Sequence, residues 1–404
     1  MNYKYVQSVI DNIMKQRYLV AFKNGVIKSY PFALIGSLLL LLICPPLPQN
    51  MKIVIWLLNY KDIFIKLYYL SMGLMSLYTV FSMGYYLAEE YQLDTVQSGV
   101  FCVFSFLVNL FFMNELSLEV LCYALFIGIM TTIITVEILR ITQNIKKKNI
   151  FPKCVPSAVS ASIMDLFPCF CLFIIFGFIF PLCSFIDSFA IVMKHLLLML
   201  DSLFVILIII FLITFCWIKG IHGASVISMI LRPFWICMLQ YNGYLLIQGS
   251  HQFFVSPEPF LQWFVWIGGS GTTLGLSFLF RYTCSSKYCK EVGRTSWISS
   301  IFNINEPIIF GTPIVSNSLF IVPFIATPMI CASIAWYAIT HGIIMPMRIM
   351  AIWTLPSPIG AFIATVGDYR AVLLNILLIF LSIIIYYPFV KIYDSRLLKE
   401  EENE

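Results

Sequence analysis

Long apolar runs, separated by short polar stretches, recur along most of the 404-residue chain. A helix needs about 20 apolar residues to cross a bilayer, and ten runs approach that length. They predict an all-α polytopic membrane protein with about ten transmembrane helices. The predicted segments are Pro31–Pro46, Leu67–Leu87, Thr95–Met113, Leu116–Leu139, Ile163–Phe185, Leu196–Trp217, Ala224–Ile247, Pro259–Leu279, Ile321–Ile339 and Val372–Tyr387. Polar residues and Pro233 interrupt the seventh segment, which is therefore also consistent with a re-entrant hairpin.

Composition supports the membrane assignment. Hydrophobic residues make up 60% of the chain and charged residues 11%, whereas soluble domains carry about 25% charged residues. The 12 cysteines form no CxxC pair and lie mostly in apolar runs, where cysteine is usually a small buried hydrophobe. Cys284 and Cys289 are expected to be more exposed, but two cysteines alone do not define a metal site. No phosphate loop or nucleotide fingerprint is visible, so neither a metal nor a cofactor is expected.

Basic residues predict the orientation in the membrane. Residues 1–28 carry five Lys or Arg and an apolar helical face, which predicts an amphipathic helix on the inner membrane surface. They are too polar for a cleavable signal peptide. The basic stretches Arg140–Lys153 and Arg281–Arg294 and the charged tail 388–404 are expected in the cytoplasm. We therefore predict a multi-pass plasma-membrane protein with both termini cytoplasmic.

The best internal boundary is the basic, proline-containing linker Arg140–Ser162. The chain beyond it holds all four histidines and seven of the eight tryptophans. This asymmetry predicts a plain transmembrane scaffold over residues 29–162, which includes the linker, and a working half over residues 163–387.

Four stretches of the second half combine helix-breaking glycine and proline with polar residues. Irregular backbone at membrane depth is tolerated only where it is buried in protein or lines a wet cavity, so these stretches are candidate parts of a binding site. They are WIKGIHG at Trp217–Gly223, WIGGSGTTLGL at Trp266–Leu276, FNINEPIIFGTPIVSN at Phe302–Asn317 and WTLPSPIGAFIATVGDYR at Trp353–Arg370.

Glu306 is the central candidate, because an ionised carboxylate at the bilayer centre costs about 2.5–3.5 kcal/mol and is normally functional or paired. Together with Asn303 and Asn305 it suits a polyhydroxylated solute. His222 lies beside a glycine where a ligand can approach, although it is equally consistent with a bond to a neighbouring carbonyl. Trp353 is consistent with stacking on a sugar or with an interfacial position.

Two further stretches have plain structural interpretations beside functional ones. The glycines of Trp266–Leu276 are consistent with close helix packing. The hydroxyls of the same stretch are equally consistent with binding a polar solute. Asp368 and Arg370 are expected to pair with each other. Arg348 and Arg370 fall in a stretch predicted to be outside, unless that stretch folds back into the protein.

The four stretches, in this order, resemble enzyme IIC of the lactose/cellobiose/diacetylchitobiose group of the bacterial phosphoenolpyruvate-dependent sugar phosphotransferase system. The segments GIHG and FNINEPIIFG carry the resemblance most specifically, and weaker stretches extend it over nearly the whole chain. The resemblance implies ten spanning helices, re-entrant hairpins in the C-terminal half, and a homodimer joined largely through the N-terminal scaffold half. It also implies an elevator-like movement of the sugar-holding half.

The resemblance further implies site residues. The family's catalytic-site histidine and glutamate fall on His222 and Glu306, which would hold the sugar near the hydroxyl to be phosphorylated. The substrate-binding positions implied are Trp217, Gly223, Asn305 and Trp353. Lys219 and Thr312 depart from the family's usual residues, and the identity of the sugar stays open.

The implied function is a permease that translocates a disaccharide, such as cellobiose, chitobiose or lactose, with phosphorylation by a separate enzyme IIB. Enzyme IIB carries the phosphate on a cysteine and enzyme IIA on a histidine, and this chain supplies no phosphorylated residue. Membrane lipid is an expected partner and nucleic acid is not. The alternatives are a gradient-driven sugar carrier and a sensor that binds sugar without transporting it.

Overall fold

A computed structural model describes residues 15–48, 50–111, 118–146, 157–182, 185–250, 252–312, 314 and 317–403. Within these ranges every regular element is a helix. The chain divides into two compact units. We call Lys4–Gly36 with Lys66–Leu197 the N-terminal unit, and Ser37–Ile65 with Leu198–Glu404 the C-terminal unit.

The N-terminal unit is built from apolar helices that approach one another closely. Its helices are α1 (Arg17–Ile43, which ends beyond the unit), α4 (Met75–Glu90), α5 (Thr95–Phe111), α6 (Leu118–Lys146), α7 (Ser157–Ile174), α8 (Phe180–Leu182) and α9 (Phe185–Leu200, which also ends beyond it). Helices α4, α5 and α6 pack against one another. A Cβ at Gly128 of α6 would overlap Val80 of α4, so this packing needs glycine.

A polar cluster ties three of these helices together near their ends. The Glu137 carboxylate accepts hydrogen bonds from the hydroxyls of Tyr18 and Tyr91, each at 2.7 Å. Glu137 also pairs with Arg140 at 2.7 Å. Both oxygens of this carboxylate are therefore engaged by residues of the N-terminal unit.

The C-terminal unit mixes long helices with short, broken ones. Its helices are α2 (Lys52–Asn59), α3 (Lys61–Tyr68, whose last residues lie beyond the unit), α10 (Leu203–Ile218), α11 (Gly223–Gln248), α12 (Glu258–Phe260), α13 (Leu274–Tyr282), α14 (Lys287–Ile301), α15 (Glu306–Gly311), α16 (Ser318–Thr340), α17 (Ser357–Ala364) and α18 (Tyr369–Asn403). Helix α13 packs against α14 and α18. The buried Tyr386 of α18 donates a hydrogen bond to the Gly271 carbonyl at 2.7 Å, which anchors the glycine-rich stretch before α13.

Six described helices are long and apolar enough to cross a membrane, or seven if one bent pair counts as a single span. The predicted count of about ten is not confirmed: within the described residues, other apolar helices are shorter than a span, as at Thr95–Phe111 and Ile163–Ile179. The seventh predicted segment, which was also consistent with a hairpin, forms the continuous helix α11 with Pro233 inside it. The eighth is instead broken by the turns around Gly268 and Gly269, both of which have positive φ.

The first predicted domain boundary falls inside a helix. Residues 1–14 of the predicted surface helix lie outside the described residues. Helix α1 begins at Arg17 and runs to Ile43 without a break at residue 28, although it contains Pro31.

The bent pair, Ile191–Leu200 and Leu203–Ile218, turns by 70° at Asp201. The Asp201 carboxylate accepts hydrogen bonds from the Val255 amide at 3.0 Å and from the Ser256 amide and hydroxyl at 2.7 Å each. Its carbonyl accepts from the Trp336 indole at 3.1 Å. Asp201 thus ties two distant segments of the C-terminal unit to the start of α10, one through its carboxylate and one through its carbonyl.

The stretch that contains Arg348 folds back into the protein. The Arg348 amide donates to the Ala364 carbonyl at 2.9 Å, and the Met350 amide donates to the Ser37 hydroxyl at 2.9 Å. Burial lowers the pKa of the Arg348 guanidinium. The predicted pair of Asp368 and Arg370 is also present, at 3.0 Å.

Candidate functional site

Asn303 connects three of the four polar stretches singled out in the sequence. Its Oδ1 accepts a hydrogen bond from the Gly268 amide at 3.0 Å and another from the Ser357 hydroxyl at 2.9 Å. Its Nδ2 donates to the carbonyls of Trp353 at 3.1 Å and Leu355 at 2.9 Å. The backbone of Asn303 has φ +61°, a conformation that asparagine tolerates better than most residues. One amide side chain therefore fixes the glycine-rich, FNINEP and WTLPS loops together.

Asn305 makes a second connection to the glycine-rich loop. Its side chain is buried, and its Nδ2 donates to the Ser270 carbonyl at 2.8 Å. Gly269, with φ +99°, lies directly against this side chain, and a Cβ there would come within 2.6 Å of the Asn305 Nδ2. The predicted substrate-binding residue Asn305 is thus engaged with protein, where it shapes the loop next to Glu306.

Glu306 is the first residue of the short helix α15 and its side chain is exposed. Among the residues that the structure describes, its carboxylate makes no hydrogen bond or ion pair. It is consequently able to accept hydrogen bonds from a hydroxylated ligand. Asn303 binds the Trp353 carbonyl only three residues from Glu306, so the exposed Trp353 and Glu306 belong to the same group of loops.

Trp217 and His222 form a second group at the junction of α10 and α11. Their ring centroids lie 4.4 Å apart. His222 caps the N-terminus of α11: its Nδ1 accepts from the Ser225 amide at 3.1 Å and lies 2.8 Å from the Ser225 hydroxyl. With Nδ1 used as an acceptor, Nε2 carries the proton of the neutral ring and is left as a donor on an exposed residue. The described contacts of His222 do not include Glu306.

The Trp217 indole is buried, with 4% of its surface exposed, and its Nε1 has no hydrogen-bond partner among the described residues. A buried N–H without an acceptor costs about 1–3 kcal/mol, so a ligand oxygen or a water is the natural partner. Gly223, by contrast, is packed against α10, where a Cβ would overlap the Ile213 carbonyl. Its observed contacts are those of close helix packing, and its substrate-binding role stays a prediction.

Two connectors, Asn303 and Ser357, were not among the predicted site residues. Asn303 was recognised as a donor in the motif, but its bonds to other loops depend on contacts up to 54 residues apart in sequence. The arrangement provides a free carboxylate, an imidazole N–H, an unpartnered indole N–H and an exposed indole ring. These groups suit a ligand that has both hydroxyls and apolar ring faces.

Comparison with known proteins agrees with this chemistry. The family described as "Phosphotransferase system, EIIC" matches residues 23–328. The chain is 30% identical over 432 residues to the PTS system cellobiose-specific EIIC component of Geobacillus stearothermophilus, covering 99% of this chain and 95% of that protein. It is 29% identical to the PTS system lactose-specific EIICB component of Staphylococcus epidermidis, covering 97% of this chain and 70% of that protein.

A solved structure gives the same result at the level of the fold. The crystal structure of the transporter ChbC, the IIC component from the N,N'-diacetylchitobiose-specific phosphotransferase system, is similar to this chain with a TM-score of 0.86. The two sequences are 27% identical, and the match covers 99% of each chain. The family match over three quarters of the chain, the two relatives and the shared fold lead to one conclusion: the chain belongs to the EIIC family of membrane permeases of the sugar phosphotransferase system.

Proposed function

We propose that this chain carries a β-linked disaccharide across the plasma membrane and presents it for phosphorylation. The observation that carries the proposal is the Asn303 connection, which joins three loops and leaves the Glu306 carboxylate and the Trp353 ring accessible beside them. A carboxylate recognises sugar hydroxyls by charge-assisted hydrogen bonds, and an indole packs on the apolar face of a sugar ring.

The roles assigned follow from this geometry. Glu306 accepts hydrogen bonds from the sugar, and the Nε2–H of His222 donates one. Together these two residues position the hydroxyl to be phosphorylated. Trp217 and Trp353 contact the sugar rings, and Asn305 and Gly223 support the backbone around them.

The substrate class rests on the relatives. Their names specify cellobiose, oligo-β-mannosides, lichenan and lactose, and the structural relative is specific for N,N'-diacetylchitobiose. All of these are β-linked glycans. A cellobiose-like disaccharide is therefore the first ligand to test.

Phosphorylation coupling follows from family membership, since EIIC components work with the phosphocarriers EIIB and EIIA. We propose that EIIB docks on the cytoplasmic face and transfers its phosphoryl group to the bound sugar, which traps the charged product inside. Neither the gradient-driven carrier nor the sensor is favoured by the comparisons. The finer features proposed with this function are ten spans with re-entrant hairpins, cytoplasmic termini, a homodimer, and movement of the sugar-holding half, residues 163–387, against the scaffold half, residues 29–162.

The test is binding of a disaccharide panel to the purified full-length protein, for wild type and for Glu306→Gln and His222→Ala. We expect one β-linked disaccharide to bind, and its affinity to fall at least tenfold in both variants. For Glu306→Gln the reason is that hydrogen bonds to a charged group contribute about 1.5–3 kcal/mol and neutral ones about 0.5–1.5 kcal/mol.

Matched controls keep the result specific. Glu291→Gln removes another exposed carboxylate, on α14. His341→Ala removes another exposed histidine, directly after the C-terminus of α16. Both should bind sugar like wild type. Unchanged affinity in Glu306→Gln would refute the assignment of that residue, and binding of no sugar by well-folded protein would refute the substrate class.

The aromatic contact has its own control. Trp353→Ala is expected to weaken sugar binding while leaving the oligomeric state unchanged. Trp56→Ala removes an indole of nearly equal exposure, 55% against 56%, from helix α2 of the C-terminal unit. If the two variants bind sugar equally well, Trp353 does not contact the ligand.

A further inference from the structure

Two cysteines and an aspartate meet outside the candidate sugar site. Cys284 lies in the loop after α13, Cys289 in the first turn of α14 and Asp394 near the end of α18. Their two sulfur atoms and a carboxylate oxygen all lie within 4.8 Å of one another. The three residues are buried, with exposed fractions of 6%, 0% and 4%. The sequence predicted the cysteines to be more exposed, and that expectation is wrong because α18 returns to cover them.

Asp394 is held in place by the backbone of the same loop. Its Oδ1 accepts from the amides of Ser285 at 3.0 Å and Ser286 at 2.9 Å, and its Oδ2 accepts from Ser285 at 2.9 Å. A carboxylate oxygen has two lone pairs, so Oδ2 retains one acceptor position. The carboxylate is thus fixed in orientation and still able to bind a cation.

The electrostatic surroundings suit an anionic ligand set. The cluster lies at the N-terminus of α14, which carries partial positive charge. The Lys391 ammonium is close by, donating to the Thr283 carbonyl at 2.8 Å. The Glu401 carboxylate accepts hydrogen bonds from the backbone amides of Lys287 and Tyr288 in the first turn of α14. These bonds already use its charge.

We propose that Cys284, Cys289 and Asp394 bind a zinc ion that fixes the end of α18 to the start of α14. Two thiolates and one carboxylate form a donor set that suits Zn²⁺ and not Mg²⁺ or Ca²⁺, which prefer oxygen ligands alone. Tetrahedral zinc with Zn–S bonds of about 2.3 Å places two sulfur atoms about 3.8 Å apart, so the three side chains need to move inward by only about 1 Å. A water molecule takes the fourth position, and each thiol releases its proton on binding.

The cluster is buried, but residues next to it reach the surface. Ser285 in the loop and Tyr288 in the first turn of α14 are exposed. A zinc ion therefore needs to pass only this loop. No metal site was predicted from the sequence here, because Asp394 lies 105 residues after Cys289 along the chain and only folding brings it to the cysteines.

The test uses the full-length protein, purified under reducing conditions, treated with a chelator, loaded with Zn²⁺ and desalted. We expect about one zinc ion per chain by elemental analysis, and a higher melting temperature with zinc because the metal binds only the folded cluster. Cys284→Ser and Cys289→Ser should each lower zinc affinity at least tenfold, and Asp394→Asn should do so too. Cys44→Ser, which changes a partly exposed cysteine elsewhere in the C-terminal unit, should bind zinc like wild type.

A measurement on the wild-type chain covers the case in which a variant does not fold. Because Cys284 and Cys289 are buried, maleimide labels them only when the fold opens locally, so labelling is followed over hours by mass spectrometry. Zinc should slow their labelling further but leave that of Cys44 unchanged. The proposal would be overturned if wild type bound no more zinc than a variant in which both Cys284 and Cys289 are replaced by serine. It would also be overturned if zinc left the labelling of both cysteines unchanged. Sugar binding is read in a separate assay, so either result leaves the proposed transport function independently testable.

Discussion

The Asn303→Asp substitution tests whether the connection between the three loops is needed for sugar binding. The change is nearly isosteric. It keeps the Oδ1 acceptor for the Gly268 amide and the Ser357 hydroxyl. It replaces the donating amide nitrogen with an oxygen that faces the carbonyls of Trp353 and Leu355 at about 3 Å.

The expected magnitude follows from the two hydrogen bonds that are lost. Each contributes about 0.5–1.5 kcal/mol net, and the oxygen that replaces the donor is repelled by both carbonyls. A loss of roughly 1–3 kcal/mol in the loop arrangement corresponds to about a 5- to 150-fold fall in sugar affinity, at 1.4 kcal/mol per factor of ten. The upper part of this range is expected, since the repulsion adds to the lost bonds.

The assay is calorimetric titration of the purified protein with the disaccharide that wild type binds, alongside a melting curve. The matched control is Asn242→Asp, because the buried Asn242 is another asparagine whose side chain joins loops, with two hydrogen bonds to Phe254 and one to Met347. It should lower the melting temperature while folded protein keeps sugar affinity within about threefold of wild type. An Asn303→Asp protein that binds sugar within twofold of wild type would refute the reasoning, as would equal loss of affinity in both variants.

Two further substitutions test the loop geometry and the bend. Gly269→Ala should lower sugar affinity at least tenfold in the same titration, because the new Cβ displaces the Asn305 side chain. The control is Gly249→Ala, which is also at positive φ but has nothing within 4 Å of the new Cβ and should bind sugar normally. Equal effects of the two substitutions would mean that backbone strain alone is responsible. Asp201→Asn should lower the melting temperature, since the amide nitrogen would then face either the Val255 amide or the Ser256 donors at a cost of about 1–3 kcal/mol; an unchanged melting curve would show that the bend does not depend on these bonds.

Hydropathy predicted the class of fold well and the spans less well. A run of apolar residues indicates where the chain enters the membrane. The length of the run does not show whether the helix within it is continuous. Pro233 suggested an interruption, yet α11 continues through it. In the next segment Gly268 and Gly269 adopt positive φ and divide the chain, because the side chains of other loops take up the backbone groups that the helix would have used.

The candidate site shows the same limit for side chains. Local composition was sufficient to single out the FNINEP stretch and to predict the pair of Asp368 and Arg370, since those residues are close in sequence. The bonds of Asn303 to loops 35 and 54 residues away were not predictable, because spacing along the chain carries no information on which loops meet. The cluster of Cys284, Cys289 and Asp394 was missed for that reason also.

The hydrogen bonds of the polar groups in the candidate site bear on the class of ligand, independently of the comparison with relatives. Asn303 and Asn305 are bonded to loop backbone, as buried polar groups normally are. The Trp217 indole N–H is buried and has no partner among the described residues, which is costly. The Glu306 carboxylate is exposed and makes no hydrogen bond or ion pair to a described residue. An apolar ligand would complete neither, and an anionic ligand would be repelled by Glu306. A sugar hydroxyl can donate to a carboxylate and can also accept from an indole N–H, so a neutral polyol is the ligand class that fits the chemistry of each group.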